Sequence, residues 1–167
     1  MNITITRKSR NAEALDGILS IDGFKLCDTA EHCATALAEG TYRIIRHKCK
    51  QYGRKMLRLE AATLSNPVRS AGVTKQESVF WLEASTRCDH CPKLEFVCNN
   101  TTMPIYCPML KPGNGIYNRA DGSIILGTYI APGCLKNSKE PFESLCERIR
   151  KLSSRGSEIT LTIKNQY

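Results

Sequence analysis

The chain has 167 residues, 41% hydrophobic and 7% aromatic, which is enough for one domain with its own core. Its net charge of +8 suits nucleic acid, anionic lipid or an acidic wall polymer as a partner and selects none of them. No apolar run approaches the roughly 18 residues of a helical membrane span. The opening MNITITRKSR lacks the apolar stretch of an export signal, so a cytoplasmic protein is expected.

In chain order, Ile3 to Arg7 alternates apolar and polar residues, the period of a half-buried strand. Ile18 to Cys27 reads ILSI-DG-FKLC, and an Asp-Gly between two β-rich runs predicts a hairpin turning at Asp22 and Gly23. Gly40 to His47 predicts another strand. Met56 to Glu60 and Val79 to Ala84 predict two more, on either side of a loop that carries Pro67 and Gly72. A cysteine-rich segment follows, expected to be loop-rich. Beyond it a second Asp-Gly, Asp121-Gly122, is expected to join two strand-like runs.

The convincing helix is EPFESLCERIRKLSS. Phe142, Leu145, Cys146, Ile149 and Leu152 form one apolar stripe. Asn137 is expected to cap its start, with Glu140 completing a capping box and Gly156 marking its stop. SEITLTI then alternates as a closing strand. The expected fold is a β-rich α+β domain spanning 1–167, with a mixed or barrel-like sheet. It has one principal C-terminal helix and a cysteine-rich insertion at 85–110.

Nine cysteines is a high and odd count. Four of them, Cys88, Cys91, Cys98 and Cys107, begin with a C-x-x-C and sit within one short segment. Thiolates so spaced suit a tetrahedral zinc site, and four thiolates leave no open position, so the metal would be structural. His90, inside the first knuckle, is an alternative donor to one thiolate, against the simpler reading of a polar knuckle residue. The competing reading is four reduced thiols without metal. Cys27, Cys33, Cys49, Cys134 and Cys146 are scattered and read mostly as small core residues.

Three other features carry possible chemistry. Cys134 lies shortly before the capped helix, whose end N–H groups acidify a nearby thiol. It needs a base, and His32, His47 and His90 are all distant in sequence. Ser123 and Lys111 form a conceivable hydroxyl–amine pair, because a desolvated lysine acts as a base. Arg43 to Arg58 gathers Arg46, Lys48, Lys50, Arg54 and Lys55 in a run suited to a phosphate backbone. Its only aromatic residues from Tyr42 on are Tyr42 and Tyr52, few for a single-strand stacking platform.

The opening ITRK, the hairpin ILSIDGFKLCDTAE, the strand AEGTYRI, then KPGNG, DGSIILG and NSKEPFESLCERI stand in a characteristic order. That order resembles the phage and bacterial family called domain of unknown function 5675, over most of the chain outside the cysteine segment. The family is itself similar to the core of L,D-transpeptidases, which use a histidine and a cysteine on cell-wall peptides. At the matching positions this chain has Lys111 for the histidine and Gly122-Ser123 for Gly-Cys. An alternative alignment puts Cys134 on the transpeptidase cysteine.

The resemblance implies a catalytically degenerate domain that binds a cell-wall peptide or a phage or mobile-element protein. The ligand-binding residues it implies are Lys111, Gly113, Asn114, Asp121 and Ser123. The alternatives are a zinc-stabilised basic module that binds nucleic acid and a cysteine-dependent enzyme using Cys134.

Overall fold

The apolar positions of the alternating segments supply one continuous interior. Ile3, Ile5, Leu19, Ile21, Leu161 and Ile163 are all buried in the same cluster, while Thr4, Ser20 and Thr162 between them are half-buried. The computed structural model describes residues 1–49, 53–61, 80–83, 92–98, 101–106, 108–116 and 122–167. The first strands are β1 (Ile3–Arg10), β2 (Ala14–Ile21), β3 (Phe24–His32), β4 (Gly40–Cys49) and β5 (Arg54–Ala61). Then come β6 (Phe80–Glu83), β7 (Pro92–Cys98), β8 (Thr101–Tyr106) and β9 (Met109–Pro112). The chain continues with β10 (Ile124–Ala131), β11 (Cys134–Lys136), helix α1 (Lys139–Ser153) and β12 (Thr160–Asn165).

Eight of these strands close on themselves in the order β10-β3-β2-β1-β12-β4-β5-β9, with β9 pairing back onto β10. The result is a barrel-like sheet with one helix near the C-terminus, a β-rich α+β architecture as the sequence leads one to expect. Two pairings are parallel, β1 with β12 and β9 with β10; the other barrel pairings are antiparallel. Closure removes the exposed strand edges that an open sheet would leave. β11 lies outside the ring, folded back on β10.

The β2–β3 turn forms at Asp22 and Gly23, with φ of 50° and 87°, both in the left-handed region that the Asp-Gly pair tolerates. Asp121 of the second Asp-Gly lies outside the described residues, and the strands on either side of that region, β9 and β10, run parallel.

The cysteine segment is also more regular than expected. β7 and β8 form a hairpin register from Lys93 opposite Tyr106 to Cys98 opposite Thr101, and β6 adds a third strand. The run LEFVC and the facing TTMPIY are rich in β-branched and aromatic residues, and that outweighs the turn signals around them.

Helix α1 buries Phe142, Leu145 and Ile149 in the barrel's main core cluster, with Cys146 and Leu152 packed against it. Its N-cap is Ser138, without a side-chain capping bond. Asn137, expected as the cap, sits in the left-handed region at φ 50° as the chain leaves β11. The helix therefore depends on its buried stripe more than on its start signal.

The barrel interior holds a buried ion pair. Arg7 continues the Ile3, Ile5 alternation of β1 and is 0% exposed, and Glu31 of β3 is 1% exposed. Arg7 Nε and Nη2 donate to the two carboxylate oxygens of Glu31 at 2.8 and 2.6 Å. Nη2 also donates to the Leu37 carbonyl at 2.6 Å, and Nη1 to Asn165 Oδ1 at 3.2 Å. Burial opposes the guanidinium charge, but the charge and hydrogen bonds of Glu31 outweigh it and raise the Arg7 pKa. No helix among the described residues is long and apolar enough to cross a membrane.

Candidate functional site

Parallel pairing of β9 with β10 brings together two positions the sequence separates. Leu110 lies opposite Ile124, and both belong to the main core cluster. Lys111 therefore lies opposite Ile125 on the other face of the wall. There Ile125 joins Ala14, Ala30, Ile116 and Leu135 in a second buried cluster. Ser123, two residues before Ile125, shares that outer face, and its Oγ accepts the Met109 N–H at 3.3 Å. Lys111 of β9 and Ser123, just before β10, thus sit on one face, one row apart, each 7% exposed.

Two residues that sequence reasoning did not place here share the face. Asp16 lies opposite Ala30, and Ala30 opposite Ile125, so Asp16, Ala30, Ile125 and Lys111 form one row across four strands. Asp16 is 6% exposed, and its Oδ1 accepts the Gly133 N–H at 2.9 Å. Burial raises the Asp16 pKa, and that hydrogen bond offsets part of the rise.

The second residue is His32. Continuing the β3–β10 register two residues past the Ile125–Ala30 pair sets His32 level with Ser123. His32 Nδ1 accepts the Ala34 N–H at 3.2 Å, so in neutral His32 the proton sits on Nε2. In that tautomer Nε2 donates a hydrogen bond and is no base toward Ser123. Neither residue has a sequence signal that points here. Only the pairing of β2, β3 and β10 brings them in.

The glycine-rich KPGNG forms the rim. A Cβ on Gly113 would meet Ile125 Cγ2 at 3.2 Å. Asn114 is exposed, and its carbonyl accepts the Leu135 N–H at 3.0 Å. Gly115, at φ 151°, bridges Cys134, and a Cβ there would lie 2.4 Å from the Gly133 carbonyl oxygen. Only glycine fits this approach. Asp121 lies outside the described residues.

Cys134 does not occupy the helix start. It opens strand β11, opposite Ala131, is half-buried, and is separated from α1 by Leu135 to Ser138. The helix-end N–H groups invoked for its thiol belong to residues further along the chain. Cys27, Cys33, Cys49 and Cys146 are likewise free thiols. Burial raises Cys27 to about 12, too high for a thiolate nucleophile at neutral pH. Burial likewise raises Cys33 and Cys146, tempered by Arg10 in one case and by Arg46 and Arg54 in the other.

Of the expected metal ligands, Cys88, Cys91 and Cys107 lie outside the described residues, as does His90. Cys98 ends β7, at the far end of the hairpin from Pro92 and Tyr106, the chain neighbours of Cys91 and Cys107. A cleft of about 360 Å³ opens between β3, β10 and the start of α1, lined by Lys25, Cys27, Asp28, Thr128 and Glu140 among others. It holds the Lys25–Asp28 ion pair and includes none of Lys111, Ser123, His32 or Asp16.

No family model, curated protein or solved structure matches the chain.

Proposed function

We propose that this protein is a binding domain, a catalytically degenerate relative of transpeptidase-like domains, that holds a wall-related or phage-related ligand on the outer face of β3, β10 and β9. One observation carries the reading. The two positions at which the family resemblance expects a histidine and a cysteine come together on one face, and they hold Lys111 and Ser123. The resemblance explains the pairing, and the substitutions explain why binding is favoured over turnover.

The chemistry of the face supports a carboxylate-bearing ligand such as a wall peptide. Lys111 supplies a cation, Ser123 a hydroxyl, His32 an imidazole N–H and Asn114 an exposed amide, with Gly113 between Lys111 and Asn114. Asp121 belongs to the same proposal through the resemblance. Residence in the cytoplasm is part of this reading, supported by the free thiols at Cys27, Cys33, Cys49, Cys134 and Cys146.

A structural zinc ion in the cysteine segment also belongs to the proposal, with a narrowed ligand set. Extended β7 carries Cys98 roughly 20 Å along the strand from Pro92, at about 3.3 Å per residue. Ligands of one zinc lie within about 4 Å of each other, given bonds near 2.3 Å. We therefore assign the metal to Cys88, Cys91 and Cys107 with His90 as fourth donor, and leave Cys98 out.

Calorimetric titration of the protein with soluble muropeptides tests the binding, and mass spectrometry of the same mixtures tests turnover. Saturable binding that weakens at least tenfold in Lys111→Ala, with the muropeptides recovered intact, is the expected result. Turnover that disappears in Cys134→Ala would overturn the binding-only reading in favour of a cysteine enzyme. Absence of muropeptide binding would remove the wall-peptide ligand.

A further inference from the structure

The β4–β5 hairpin runs beyond the barrel. β12 pairs with β4 only over Gly40 to Arg43, and β9 pairs with β5 only at Leu57 and Arg58. The β4–β5 ladder nevertheless continues through His47 opposite Met56, Lys48 opposite Lys55 and Cys49 opposite Arg54. Among the described residues these rungs form a two-stranded ribbon with no third strand on either side, running about 10 Å past the last barrel pairing at the usual rise per residue.

One side of the ribbon is anchored. Cys49 and Met56 are buried in the core cluster that includes Phe142 of α1, and Arg54 lies over the Phe142 ring at 5.4 Å. By strand alternation Lys48 and Lys55 point the other way, and both are exposed.

The charge on the ribbon is uncompensated. Among the described residues no ion pair reaches Arg46, Lys48, Arg54 or Lys55, whereas Lys25, Arg43, Lys139, Arg150 and Lys151 each have a carboxylate partner. The sequence has no Asp or Glu from Arg43 to Leu59, and Glu60 is engaged by Arg58. Lys48 and Lys55 face each other directly, a like-charge cross-strand pair that costs stability in the free protein. An anionic ligand turns that cost into a favourable interaction.

We propose that this ribbon is a docking arm for double-stranded DNA, independent of the ligand face described above. B-form DNA has a major groove wide enough for a two-stranded β-ribbon, whereas the A-form groove of duplex RNA is too narrow. A lipid surface fits less well, because interfacial binding needs apolar anchors beside the cations. Among the described residues the exposed large apolar side chains, Met1, Phe24, Tyr129, Ile130 and Tyr167, all lie off the ribbon. The ribbon's cations meet phosphates, so the arm positions the protein on DNA without reading its sequence.

Fluorescence anisotropy with a labelled random-sequence B-DNA duplex, across a salt series from about 50 to 200 mM, tests the proposal. Binding is expected at the low end, weakening steeply as salt rises. Lys48→Gln/Lys55→Gln should weaken it roughly tenfold and reduce the log–log salt slope by about two, one for each phosphate no longer neutralised. Its thermal midpoint should match or exceed that of the parent, because a repulsive pair is gone. Lys139→Gln, whose lysine is exposed and paired with Glu143 on α1, should leave DNA affinity unchanged.

No binding at low salt would overturn the proposal, as would an unchanged slope in the double variant. Tighter binding to duplex RNA or to phosphatidylserine vesicles than to the DNA would also overturn it.

Discussion

Arg7 and Glu31 meet inside the barrel as a two-pronged pair, Nε and Nη2 of one on the two carboxylate oxygens of the other at 2.8 and 2.6 Å. The same guanidinium ties β1 to the Leu37 carbonyl and to Asn165 of β12. A charge taken this far out of water persists only when nearly every donor is satisfied, and here each guanidinium nitrogen has a partner.

Removing one partner of that pair should therefore be costly. Glu31→Ala leaves the Arg7 charge buried without its counter-ion and is expected to lower unfolding free energy by about 3–5 kcal/mol. That is a large part of the roughly 5–15 kcal/mol available to a domain. Arg7→Met/Glu31→Leu, which removes both charges, should recover most of the loss. Urea unfolding of the three proteins checks this, and a double variant as unstable as Glu31→Ala would refute the desolvation argument.

Asp16 gives a pH prediction. Its folded-state pKa is raised by burial, so the folded protein binds the proton more tightly than the unfolded chain does. Asp16 therefore lowers stability as pH rises from the ordinary carboxylate range through its raised folded value. Asp16→Asn keeps an acceptor for the Gly133 N–H and removes the charge. It should be at least as stable as the parent at pH 7, and the difference should shrink as the solution is acidified toward pH ~4. Denaturant midpoints at the two pH values measure it.

The rim of the ligand face depends on a backbone approach. Gly115→Ala puts a Cβ 2.4 Å from the Gly133 carbonyl oxygen, at a positive φ. Neither atom is a flexible side-chain end, so backbone must shift. We expect a loss of about 1–3 kcal/mol and displacement of the Ile116–Gly133 and Leu135–Asn114 hydrogen bonds. Amide exchange at Ile116 and Leu135 should accelerate beyond the global change.

Metal content separates the two cysteine groupings. Elemental analysis of purified protein should find one zinc per chain, retained in Cys98→Ser and lost in Cys91→Ser. Loss of zinc in both variants would return Cys98 to the ligand set and require β7 to depart from its extended form.

Much of the local structure is legible in the residues. Alternation marks β1 and β12, Asp22-Gly23 marks its turn, and the stripe from Phe142 to Ile149 marks the helix. These depend on periods and turn chemistry that act over a few residues. A signal that misleads is also local: Asn137 reads as the helix cap, but it takes a left-handed conformation at φ 50° and Ser138 stands at the N-cap instead.

Residue patterning alone sets strands around an apolar interior, an amphipathic helix before the last strand and an excess of positive charge. Tertiary structure alone decided that β9 returns to β10 and β1 meets β12 in parallel. Those two pairings close the wall around the Arg7–Glu31 pair and set Lys111 beside Ser123, while the antiparallel pairing of β2, β3 and β10 adds Asp16 and His32 to that face. Period and propensity act between neighbours along the chain, whereas register between remote strands is decided by which closure buries the most apolar surface and leaves the fewest backbone groups unpaired.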